Sequence, residues 1–144
     1  MANIIPDSFK SELLSGTHNF ATGGDSFKIA LYVGTLGPAY TTSSTVYSTT
    51  NEVSSSGTGY TTGGQVLDSQ AVSIPGSNTA IVDFANEVFS DVTLTSLGAA
   101  IYNSSASNKL CLVIDFGGDK VATAGDFTIQ FPADAATTAI IQVA

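Results

Sequence analysis

The chain of 144 residues contains no tryptophan, no arginine, one histidine and one cysteine. Each shortage excludes something. A lone cysteine, Cys111, cannot close an internal disulfide. With His18 as the only histidine, zinc ligands are too few. Four lysines (Lys10, Lys28, Lys109, Lys120) face twelve acids, a formal net charge of −8. Nucleic-acid binders draw affinity from clustered Lys and Arg that displace counterions, so no nucleic-acid partner is expected. Anionic membranes are disfavoured for the same reason. No apolar run approaches the ~20 residues of a spanning helix, so no membrane partner is expected either. Met1 to Lys10 shows no basic stretch followed by an apolar one. No signal peptide is therefore expected, and synthesis in a cytoplasm is.

Charge is scarce as well. Charged residues make up 11% of the chain, where soluble domains usually carry ~25%. Polarity comes instead from 18 serines and 18 threonines, punctuated by 14 glycines. With 43% hydrophobic residues, the composition predicts an all-β protein with many turns, whose surface is partly covered by something else. The length suits one domain over residues 1–144 with a core of its own.

Ile4 to Gly16 is the one helix candidate. Pro6 and Asp7 form its start, Phe9 and Leu13 share a face, and Gly16 stops it. About two turns cannot stand alone, so the segment must dock, either on its own domain or as an arm on a neighbour. Residues 1–20 are read as this helix or arm. From Ser26 the period changes to two: Phe27, Ile29, Leu31 and Val33 alternate with Ser26, Lys28, Ala30 and Tyr32, and Gly34, Gly37 and Pro38 end the strand. Residues 40–64 are rich in Ser, Thr and Gly and hold few apolar anchors, chiefly Val46, Tyr47, Val53 and Tyr60. They read as a long exposed loop with room for short edge strands. Further strands are expected over Gln65–Ile74, Thr79–Ala85, Val92–Tyr102 (bending at Gly98), Leu110–Phe116, Asp126–Phe131 and Ala139–Val143. A turn is expected at Gly117–Gly118–Asp119. Seven or eight short strands predict a single β-sandwich, with a jelly roll among the possible topologies and inner faces that include Phe27, Ile29, Leu31, Val82, Phe84, Leu112, Ile114, Phe127, Ile129 and Phe131.

No catalytic, cofactor or metal site is predicted. His18 has no G-x-S-x-G elbow to serve and reads as a hydrogen-bonding residue. Cys111, between Leu110 and Leu112, reads as a buried, inert thiol. Asp115, Asp119 and Asp126 surround a turn but match no calcium loop. Gly23–Gly24 and Gly63–Gly64 lack the lysine and following helix of a phosphate-cradling loop. No carboxylate pair stands out for glycoside chemistry, and no tryptophan is present to stack on a sugar.

One ordered set of fragments is distinctive: Phe9-Lys10-Ser11-Glu12-Leu13-Leu14, Gly16-Thr17-His18-Asn19-Phe20, Asp25 through Tyr32, Tyr47, Asn51-Glu52-Val53, Gly57 through Gly64, Ala100-Ile101-Tyr102-Asn103 and Asp115-Phe116-Gly117-Gly118. Together they resemble small structural proteins of tailed bacteriophages, most of all the capsid cement (decoration) proteins of short-tailed phages. The resemblance runs from Phe9 to about Phe131. It implies a jelly-roll-like β-sandwich on the virion's capsid exterior that binds across seams between major capsid proteins and self-associates as a dimer or trimer. It brings no catalytic residue. The expected partners are the phage major capsid protein and a second copy of the chain. Segments too short or too polar to order themselves supply the candidate contacts: Ile4, Ile5, Phe9, Leu13, Leu14, Tyr47, Val53 and Tyr60. The alternatives are a tail or fibre-associated adaptor module of the virion and a carbohydrate-binding or hydrolytic β-domain.

Overall fold

The computed structural model describes residues 3–34, 36, 39–76 and 78–144. The expected strand end at Gly37 and Pro38 lies outside them. Helix α1 (Asp7–Leu14) forms where the sequence places it, after an extended Pro6 and before Gly16. Asp7 puts a negative charge in the first turn, where the helix dipole favours it, and pairs with Lys10 at 3.0 Å. Phe9 is buried and Leu13 packs on the same core, whereas Leu14 is 93% exposed. The helix docks on its own chain.

Among the described residues seven strands follow: β1 (Phe27–Tyr32), β2 (Gln65–Val66), β3 (Ala71–Ser73), β4 (Ala80–Asp83), β5 (Glu87–Asn103), β6 (Lys109–Ile129) and β7 (Ile141–Val143). They make two antiparallel sheets, ordered β2-β1-β5-β6 and β3-β4-β7. The strand expected over Gln65–Ile74 is thus two strands in different sheets. The chain changes direction between them at Ser69, which takes a left-handed φ of 56°.

The largest departure from the sequence reading is β6. The segments expected as two strands around a Gly117–Gly118–Asp119 turn are one 21-residue strand. Gly98 pairs with Asp115 and Ser96 with Lys120, so residues 116–119 oppose Leu97 alone and bulge outward. Gly117 and Gly118, at φ 77° and 156°, absorb the excursion. The turn chemistry was legible, but β5 runs on as a common partner and keeps both halves in one ladder. The expected bend at Gly98 coincides with this register shift.

The main core gathers Phe27, Ile29, Leu31, Val82, Phe84, Leu112, Phe127, Ile129 and Phe131, with Ile114 half-buried against it. Phe20 stacks on Phe27 with centroids 4.2 Å apart. Alternation then puts Ala30 and Tyr32 on the other face of β1, where a second cluster forms with Leu36, Tyr40, Ala100, Tyr102, Leu110 and Val113. The central strands are therefore covered on both faces. Part of the second cover comes from the loop that the sequence suggested was exposed: Tyr40 is buried in this cluster and Tyr47 packs against it, while Val53 and Tyr60 of the same loop are buried in the main core. Isolated bridges join Val46 to Lys109 and Glu52 to Tyr32. The correction has a physical cause: tyrosines bury a large ring while keeping a hydrogen-bonding tip, so few apolar residues suffice to order the loop.

Candidate functional site

Three constellations of side chains stand out. The first is a polar knot beneath α1. The Glu12 carboxylate accepts hydrogen bonds from Lys109 Nζ at 2.8 Å and from His18 Nε2 at 2.8 Å. Asn103 Nδ2 donates to His18 Nδ1 at 3.0 Å and to Asp25 Oδ2 at 2.8 Å. These partners assign the His18 proton to Nε2. Cys111 Sγ lies 3.9 Å from His18 Nδ1. A thiol beside an imidazole has the ingredients of a nucleophile, but Cys111 is fully buried. Burial, with the charges of Glu12 and Asp25 added, pushes its pKa far up. The thiol stays protonated, and the knot ties α1 to β6.

That tie has a pH signature. Burial pushes the Glu12 carboxyl up, but the hydrogen bonds from Lys109 and His18 and the charge of Lys109 outweigh it and leave its pKa below the usual glutamate range. A depressed carboxyl pKa contributes stability above the ordinary value and loses it as pH falls through the depressed one. The thermal midpoint is expected to drop on acidification from neutral to about pH 3, and Glu12→Gln to start lower at neutral pH and drop less. Circular-dichroism melts across that range check it; parallel pH profiles for the two proteins would contradict it.

The second constellation gathers all five tyrosines. Glu52 accepts from Tyr47 Oη at 2.5 Å, Tyr60 Oη at 2.7 Å and Gly63 N at 2.7 Å. Tyr60 Oη also accepts from Leu31 N at 3.0 Å, joining the loop to β1. Tyr32 and Tyr40 share a hydroxyl contact of 2.6 Å, and Tyr47 stacks on Tyr102 at 4.5 Å. Gly64 fits only as glycine: a Cβ there would lie 1.8 Å from Ile29 O, at φ 71°. Burial raises the pKa of every tyrosine, with Glu52 nearby adding to it, and Tyr102 is pushed up to about 12. Tyrosinate absorbance in the folded protein is therefore expected to stay flat through the normal value of about 10, whereas the unfolded chain titrates there. A native titration with even one tyrosine ionising normally would contradict this packing. Since the charged form is disfavoured in the fold, stability falls as pH rises into that range.

The third is a groove of about 690 Å³ along the outer side of β6. Its floor is core: Leu112, Phe127, Ile129 and Phe131. Ile5, Ile114, Phe116, Val121 and Ile140 make apolar walls, and Lys120 and Asp126 stand among them. Residues 130–140, which lead from β6 to β7, close one side, and Asn3 to Ile5 cover one end.

The eight residues predicted as partner contacts separate accordingly. Ile4 and Ile5 meet at the groove. Phe9, Val53 and Tyr60 are buried in the chain's own core, and Leu13 packs on it, so these four side chains are committed internally. Tyr47 is half-buried against Tyr102 and Glu52. Leu14 is exposed on α1 and does not line the groove. Sequence reasoning missed Phe116, Val121 and Ile140. Val121 carried the one usable signal: an apolar residue isolated among Lys120, Ala122 and Thr123, in a stretch that looked like a connection. Among the described residues no group of three or more His, Cys, Asp and Glu side chains is placed to hold a metal ion, and no helix is long and apolar enough to cross a membrane. Compared with known proteins, the chain matches no family model, no curated protein and no solved structure.

Proposed function

We propose that this protein is a structural component of a tailed-phage particle, bound to the outside of the capsid, where it ties adjacent major capsid subunits together and strengthens the shell. In this reading the two sheets form a jelly-roll-like sandwich, and copies associate as dimers or trimers. The observation that carries the reading is the apolar groove, on a chain whose histidine and cysteine are closed inside the fold. Two further features support it. Interface cores are poor in charge, and so is this chain. A net charge of −8 suits the outer side of a shell, away from packaged nucleic acid. The sequence fragments that carry the phage resemblance also have a structural use: Glu12, His18, Asp25 and Asn103 build the knot, and Glu52, Tyr60 and Gly63 the tyrosine cluster. Quantitative mass spectrometry of purified particles tests the reading. A capsid cement protein is present in numbers comparable to the major capsid protein; a tail adaptor is present in a few copies, and that count would replace this reading.

A further inference from the structure

β6 ends its sheet, and its outer side is only half used. Ile4 and Val46 bridge it at Val113 and Lys109. From Lys120 to Ile129 no strand among the described residues pairs outside it, and Lys120, Val121 and residues 126–129 of that stretch line the groove. The N-terminal segment shows how this edge takes an extended apolar chain. Ile4 and Val113 exchange both backbone hydrogen bonds, at 2.9 and 2.8 Å. Asn3 Oδ1 accepts from Asp115 N at 2.8 Å, and Ile5 lines the groove, while Ile4 borders it and packs against the second cluster.

We propose that an extended segment of another protein continues this arrangement, adding a strand beside Lys120–Ile129 and seating its alternate apolar side chains in the groove. Main-chain bonds then give affinity and the groove selects side chains. The proposal deepens the assembly reading and rests on it for where the segment comes from. Charge sets the rest of its chemistry. Twelve acids face four lysines, and two of those, Lys10 and Lys109, are held by Asp7 and Glu12. An acidic body with few free cations favours a segment with basic flanks. A second copy of the chain fits this edge less well. The bulge at residues 116–119, the irregular step at Ala124 (φ 44°) and the charges of Lys120 and Asp126 obstruct flat pairing between two identical sheet edges. A single flexible segment can follow that twist.

Selection from a displayed library of peptides about nine residues long, with the full chain as target, tests this. Enriched peptides should alternate apolar and polar residues between Lys or Arg flanks. Val121 is 67% exposed, so Val121→Asp should fold normally. It should bind a selected peptide at least about tenfold more weakly, and N-methylation of alternate peptide amides should cost as much. Absence of enrichment, or binding kept within about twofold by Val121→Asp or by the N-methylated peptide, overturns the proposal. So does a dimer in sedimentation that Val121→Asp dissolves, which would give the edge to a second copy. The two readings fail separately. Shells that bind Val121→Asp as well as wild type sink the groove and leave the assembly reading standing. Peptides that bind as expected while no shell does sink the assembly reading and leave the groove.

Discussion

Phe27→Ala is expected to remove a large share of the stability of the fold and to lower its urea midpoint sharply. Phe27 is fully buried at the start of β1, stacked on Phe20 and edge-on to Phe84, with centroids 4.2 and 6.0 Å away. Its ring joins three parts of the chain: β1, the segment after α1, and the end of β4. Truncating a buried phenylalanine costs about 3–5 kcal/mol in lost transfer energy and cavity. Whole domains of this size have about 5–15 kcal/mol to lose. Urea unfolding followed by circular dichroism should show the midpoint collapse. A midpoint within experimental error of wild type would mean that Phe20, Phe27 and Phe84 do not meet.

Glu52→Ala is expected to release the long loop while leaving much of the sheet ladder intact. Its carboxylate is the shared acceptor for Tyr47, Tyr60 and Gly63 N. Removing it leaves three donors without their partner, at about 1–3 kcal/mol for each that stays buried. Tyr60 also holds Leu31 N, so the damage reaches β1. With no tryptophan in the chain and all five tyrosines in this cluster, tyrosine fluorescence and near-ultraviolet circular dichroism report on the site directly. The expected result is loss of the near-ultraviolet signal at temperatures where the far-ultraviolet signal persists. Coincident and unshifted melting in both would show that Glu52 does not organise the loop.

Local signals made much of the fold legible. Pro6, Asp7, Phe9, Leu13 and Gly16 predicted α1, and period-two alternation predicted β1 and β4 and put Phe27, Ile29, Leu31, Val82 and Phe84 in the core, but it missed the burial of Ala30, Tyr32 and Ile81 on the opposite faces. What failed depended on distant partners. Gly117 and Gly118 have turn composition, yet β5 holds the chain extended on both sides of them. The loop from residue 40 to 64 has few apolar residues, yet Tyr47 stacks on Tyr102 and Tyr60 accepts from Leu31 N, partners far away in sequence. For the same reason Phe9, Val53 and Tyr60 looked available to a partner but serve the core. The groove was the least legible feature. It is assembled from Ile5, Phe116, Val121 and Ile140, four residues spread over almost the whole chain, and no local period connects them.

The central claim is mechanical, so the most direct measurement is mechanical too. Capsid shells lacking the protein are titrated with it, and the temperature at which a packaged dye-accessible genome is released is recorded against the copies bound. The account predicts saturable binding at numbers comparable to the major capsid subunits and a release temperature that climbs with occupancy to a plateau. Saturation at a few copies per particle, or full occupancy with an unchanged release temperature, would contradict it.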